Sequence, residues 1–117
     1  MTYEVKRRVN SFLALSSTNV TTLYTCPTNR TAVIKELIVT NVDGSSSADI
    51  TIQITDTSAS ATFSLISTKA VAQDTYLRID SANIILESGD IIKAQCTSAA
   101  DDLVVSAFIE EYPDPMR

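Results

Sequence analysis

The chain has 117 residues, 44% hydrophobic and 20% charged, a composition that suits one folding domain and excludes a disordered segment. A net charge of −5 gives a surface that repels phosphate backbones, so sequence-independent nucleic-acid binding lacks its driving force. No apolar run reaches the length of a membrane span and no signal-peptide pattern opens the chain, so the expectation is no membrane partner and synthesis in the host cytoplasm.

Residues 1–10 precede the first periodic stretch and carry Tyr3 and the basic run Lys6, Arg7 and Arg8. They read as an N-terminal arm. Short β-branched and aromatic runs bounded by turn formers then predict strands over 12–16, 21–26, 32–42, 49–56, 61–67, 76–79, 84–86, 90–96 and 103–110. The clearest alternation sets Ile50, Ile52 and Ile54 against Thr51, Gln53 and Thr55, one face apolar and the other polar. In 103–110 both faces are partly apolar, through Val104 and Phe108, which predicts a strand covered on both sides. In 31–42 the alternation is interrupted at Lys35 and Glu36, where a β-bulge would absorb the slip.

Turn chemistry lies between these runs. Pro27-Thr28-Asn29-Arg30 reverses the chain after the second strand, Asp43-Gly44 with Ser45 to Ser47 predicts a hairpin with Gly44 at positive φ, and Ser88-Gly89-Asp90 predicts a tight reversal. No segment sustains helical spacing, and Ser and Thr make up about a quarter of the chain, which favours strands and turns over helix interiors. The pattern is that of an all-β, antiparallel β-sandwich, jelly-roll or immunoglobulin-like, with eight to nine short strands in a single domain over 1–117. A C-terminal tail from about 111 to 117, with Pro113 and Pro115, is expected to stay extended and unpaired.

The chemistry of an active site is missing. There is no histidine, which removes Ser-His-Asp and Cys-His arrangements and the usual zinc ligand sets. Two glycines cannot write a phosphate-binding loop. Asp101 and Asp102 are adjacent in a loop and diverge, and Glu87 and Asp90 flank Gly89 as turn polarity, so neither pair suits acid/base catalysis. The expectation is no enzyme, no cofactor and no metal. Cys26 and Cys96 read either as two buried thiols or as a bridge between adjoining strands.

What remains is surface for other proteins. Lys6, Arg7 and Arg8 at the front and Glu110 and Glu111 at the back are either solvated ends or arms that dock on neighbouring copies, basic against acidic. Tyr3, Phe12 and Tyr112 lie toward the termini, where aromatic side chains anchor in a neighbour's pockets, while Tyr24, Phe63, Tyr76 and Phe108 belong to strands. Tyr3, Lys6, Arg7, Arg8, Phe12, Glu110, Glu111 and Tyr112 are thus the candidate partner-contact residues.

Three stretches carry a resemblance: Leu23-Tyr24-Thr25-Cys26-Pro27-Thr28-Asn29-Arg30-Thr31-Ala32-Val33-Ile34-Lys35, then Leu37 to Val42, and later Ile84-Ile85-Leu86-Glu87-Ser88-Gly89-Asp90-Ile91-Ile92-Lys93. Over roughly 20–110 the layout resembles small all-β bacteriophage virion structural proteins, head decoration (cement) or tail-associated. Where such relatives carry glycine in the first turn, this chain has Thr28-Asn29-Arg30, and Asn29 tolerates left-handed geometry. The resemblance implies a non-enzymatic virion subunit, foremost a capsid decoration protein binding across joints between capsid subunits. Its partner would be a major capsid or a tail or neck protein. The alternatives are a neck, collar or tail protein, or a host-recognition module using the 43–47 and 97–102 loops. Open sheet edges predict a homo-oligomer, and cement subunits at three-fold positions favour a trimer.

Overall fold

The computed structural model describes residues 6–79, 84–96 and 102–113, and these form nine strands and no helix. They are β1 (Arg7–Ala14), β2 (Thr21–Thr25), β3 (Arg30–Asn41), β4 (Ala48–Asp56), β5 (Ala61–Val71), β6 (Tyr76–Ile79), β7 (Ile84–Leu86), β8 (Ile91–Cys96) and β9 (Leu103–Pro113). Every pairing is antiparallel. One sheet runs β1-β9-β3-β6, with β7 also on β3, and the other runs β2-β8-β4-β5.

This order separates the two sandwiches that the sequence left open. β6 and β7 lie end to end along β3, β6 on Leu37 to Thr40 and β7 on Ala32 to Ile34, so they act as one interrupted strand. With them merged, first pairs with last, second with next to last, and so inward to the β4–β5 hairpin. That is a long hairpin rolled up so that β9 also pairs β3 and β8 also pairs β4. Two four-stranded layers built in this way are a jelly roll. An immunoglobulin-like domain would place consecutive strands side by side in its first sheet.

Alternation supplies the core between the layers. Ile34, Leu37 and Val39 of β3, Ile50 and Ile52 of β4, Ile92 of β8, and Leu103, Val105 and Ile109 of β9 are all buried. Each such side chain contributes about 1.5–3 kcal/mol on leaving water. The expected bulge is present: β3 shifts register on β9 between Ile34 and Glu36. That extra residue lets Ile34 and Leu37, three apart, both point inward while Lys35 stays exposed.

Four expectations need correction. β1 begins at Arg7, inside the segment expected as an arm, and stops at Ala14 instead of 16. β9 runs on to Pro113, which lies opposite Arg30, so Glu111 to Pro113 belong to the sheet and not to a free tail. Among the described residues no second layer covers the outer side of β9, where Phe108 and Tyr112 are exposed. Gly44 does not take the positive φ. The β3–β4 loop is braced by side chains instead: buried Asn41 donates to the carbonyls of Ser46 and Val71, and Asp43 Oδ1 accepts from Ser45 N. Residues 1–5, with Tyr3, and the loop positions 97–101 lie outside the described residues, as do 114–117.

Both cysteines are buried and outside any disulfide. Cys26 follows β2 and its N–H donates to Asp90 O before β8, while Cys96 ends β8 opposite Ile50. The length of β8 separates them, so a bridge between them is sterically out of reach.

Gly89 does need its freedom. It holds φ 86°, and a Cβ there would stand 3.2 Å from Thr57 Oγ1. Gly89→Ala is expected to cost about 1–2 kcal/mol, read as a lower urea midpoint with unchanged slope.

Candidate functional site

Two ends of the sandwich organise the surface. The Pro27 end gathers the 27–30 turn, the β4–β5 turn and the β7–β8 turn, and the Asp43 end gathers the β3–β4 loop, the β5–β6 loop and the start of β9. The basic run and the acidic pair, at opposite ends of the sequence, meet near the Pro27 end because β1 pairs β9 in a register that sets Arg7 opposite Glu111 and Arg8 opposite Glu110. The basic and acidic termini therefore neutralise each other within one chain. Lys6 Nζ is 3.7 Å and Arg8 Nε 3.6 Å from Glu110 Oε2, and Arg7 Nε is 2.6 Å from Glu111 Oε1.

Adjacent residues on a strand face opposite ways, so Glu110 and Glu111 live in different worlds. Glu111 points into the sandwich and is 2% exposed. Its carboxylate takes Arg7 from β1, has Arg30 Nε of β3 at 4.0 Å, and accepts the hydroxyl of Tyr24 from the opposite sheet. Burial, and then the bond to Glu111, push the Tyr24 hydroxyl well above the usual tyrosine range. A raised tyrosine pKa contributes stability that is complete below the ordinary range and is lost only as strongly alkaline pH ionises the folded protein. This node joins β1, β9, β3 and β2, and it is a clamp on the fold.

Glu110 points outward. Tyr112 donates to it at 2.9 Å, and Lys6 lies over the Tyr112 ring, 5.9 Å from its centre. The Tyr112 bond first, and then Lys6, Lys35 and Arg8, hold the Glu110 carboxyl below the usual range, against some desolvation. The same bond raises the Tyr112 hydroxyl. Beside Glu110 a shallow recess of about 380 Å³ is walled by Arg8, Asn10, Lys35 and Phe108. Phe12, 61% exposed, meets Phe108 edge to face with ring centres 5.9 Å apart. Lys6, Arg8, Phe12, Glu110 and Tyr112 are thus brought onto one outer face, whereas Arg7 and Glu111 serve the clamp below it. Asn10, Lys35 and Phe108 complete the face; period-two reading of β1 and β9 would have found Asn10 and Phe108 had β1 been read from Arg7, whereas Lys35 comes from the bulged stretch of β3.

Sequence reading also missed Asp90. It is buried, its Oδ1 accepts from Thr57 N and Oγ1 at 3.1 Å each, and its Oδ2 accepts from Glu87 N at 2.9 Å. It thereby ties the β7–β8 turn to the β4–β5 turn. Asp56, Glu87 and Asp90 bring carboxylate oxygens within 4.8 Å of one another. Asp56 Oδ1 is engaged by Ser58 N, Ser58 Oγ and Ala59 N, bonds that also hold its pKa low, the Ser58 hydroxyl foremost. These acids brace turns. The outer face combines exposed aromatic rings with fixed charges, features suited to recognition of a protein surface.

No family model matches the chain, and no curated protein matches it in sequence. Solved structures do share its fold. The capsid structure of the Helicobacter pylori bacteriophage KHP30 is similar at TM-score 0.57 and 10% identity, over 95% of this chain and 90% of that one. The capsid asymmetric unit of cyanophage Pam1 gives 0.51 and 14%, over 92% and 84%. Bacillus endospore appendages, described as disulfide-linked pili, give 0.54 and 14%, over 93% and 87%. At such identities the likeness establishes the jelly roll alone.

Proposed function

We propose that this chain is a structural subunit of a bacteriophage virion, a capsid decoration or cement protein that binds across joints between capsid subunits. The observation that carries the reading is the uncovered outer face of β1-β9-β3, where the Phe12–Phe108 pair sits within a rim of fixed charges. Aromatic anchors inside a polar rim are the anatomy of a protein–protein contact. A rigid jelly roll loses little further entropy on docking, so modest contacts suffice when many copies act together. The occurrence of this fold in two phage capsids is in keeping with the role.

The subunit works as a homo-oligomer, with a trimer at three-fold positions of the shell. β5 is an edge strand with exposed Phe63 and Leu65, and such edges stay soluble when a neighbour covers them. The test is localisation: cryo-electron microscopy of assembled particles carrying the tagged chain. Density outside the shell over subunit joints is expected, and shells depleted of the chain should break at lower temperature. Density at the neck or tail would replace the cement role with the alternative virion role. Absence of the chain from purified particles would overturn the virion reading altogether.

A further inference from the structure

The net charge of −5 is not spread evenly over the described surface. On the outer face near the Pro27 end, Lys6, Arg8 and Lys35 lie around Glu110 and Phe108 lines the recess, while Glu36, set opposite Phe108, is paired with Arg78. The Asp43 end is the reverse. There Asp74 N donates to Asp43 O at 3.1 Å and Val42 N donates to Asp102 O at 2.8 Å, which draws three acids together. The loop residues 42–47 and 72–75 contain no lysine or arginine. At this end two apolar side chains stand in solvent, Val42 at 57% and Tyr76 at 67% exposed.

One surface is therefore an apolar knob beside three acids, and the other a recess lined by Phe108 where three bases outnumber Glu110. We propose that they are the two halves of one contact, in which the Asp43 end of one copy seats on the recess of the next. Val42 and Tyr76 meet Phe12 and Phe108, while Asp43, Asp74 and Asp102 face Arg8, Lys35 and Lys6. The occupant is a second copy of this chain because charge sign and apolar character are complementary at both places. The halves are different patches of one molecule, and in the heterologous arrangement each copy offers one half to each neighbour, so the contact propagates head to tail until rotation closes a ring. The apolar centre supplies affinity, and the charged rim fixes orientation and speeds encounter. The inference rests on the reading of the chain as a homo-oligomeric subunit, and specifies its interface.

A charge swap tests it. Arg8→Glu with Lys35→Glu reverses the recess, and Gln73→Lys with Asp74→Lys reverses the knob, at positions that are exposed. In sedimentation equilibrium at low salt, each reversed pair is expected to weaken self-association by about tenfold or more. An equimolar mixture of the two reversed proteins would form only mixed contacts, and the four-fold variant is expected to recover assembly. High salt should disperse the parent in the same way. Far-ultraviolet circular dichroism and the unfolding midpoint keep a folding failure apart from an association failure. The interface is overturned if the parent stays monomeric at every concentration, if either folded reversal assembles like the parent, or if the four-fold variant stays dispersed. Capsid localisation remains a separate readout, so losing this contact leaves the virion role standing or falling by itself.

Discussion

Glu111→Ala is expected to lower the unfolding free energy by about 3 kcal/mol, the largest effect of any single substitution in the clamp. The carboxylate is 2% exposed and is shared by three donors that reach it from three strands. Removing it takes a carboxylate from the neighbourhood of Arg30, whose side chain is 11% exposed, and takes the acceptor from the Tyr24 hydroxyl. Breaking one side of a buried pair costs about 3–5 kcal/mol. The lower figure applies because the Arg7 side chain is 52% exposed and can turn to water. At a urea dependence of about 1.5 kcal/mol per M, the midpoint falls on the order of 2 M. Glu111→Gln keeps the volume and an acceptor for Tyr24 and should lose about half as much. The amides of β1, an edge strand without one fully buried side chain, should exchange faster in the Ala variant than those of β3. A midpoint within 0.5 M of the parent would show that the clamp is not holding the sheets.

Period-two alternation made most strands legible because the signal is local. Ile50, Ile52 and Ile54 of β4 need only their own backbone to place them on one face, and the break at Lys35 and Glu36 marked the bulge. The start of β1 was hidden because its inward positions are Arg7, Val9, Ser11 and Leu13. Arg7 earns its place through Glu111, and Ser11 by donating to Leu23 O at 2.6 Å. Apolar periodicity cannot register an inward arginine. The same blindness applied to Glu111, although Leu103, Val105, Ala107 and Ile109 already placed the next odd position inward. Beside Glu110 and Asp114 it looked like part of a solvated acidic end. Tyr24 and Arg30 completed the clamp only once four strands had been assembled, and no spacing in the chain encodes that meeting. The choice between jelly roll and immunoglobulin-like order likewise depends on which distant strands pair, which turn chemistry does not specify.

Asp90 shows how a residue that reads as turn polarity becomes structural through its partners. Asp90→Ala is expected to cost about 2–3 kcal/mol, because the backbone N–H groups of Thr57 and Glu87 and the Thr57 hydroxyl all lose a charged acceptor. Asp90→Asn keeps one carbonyl acceptor and should cost about half of that. A cycle with Thr57→Val separates the contributions: the double variant should be less destabilised than the sum of the singles by about 1 kcal/mol, since both remove the same hydroxyl–carboxylate bond. Additive losses would mean that Thr57 and Asp90 act independently and that the two turns are not tied through this pair. The network lies in the turns of the Pro27 end, and neither Asp90 nor Thr57 lines the recess or belongs to the Asp43 end, so Asp90→Ala should lower the melting temperature yet leave self-association at low temperature unchanged. Loss of assembly in a folded Asp90→Ala protein would instead place the turns inside the contact between copies.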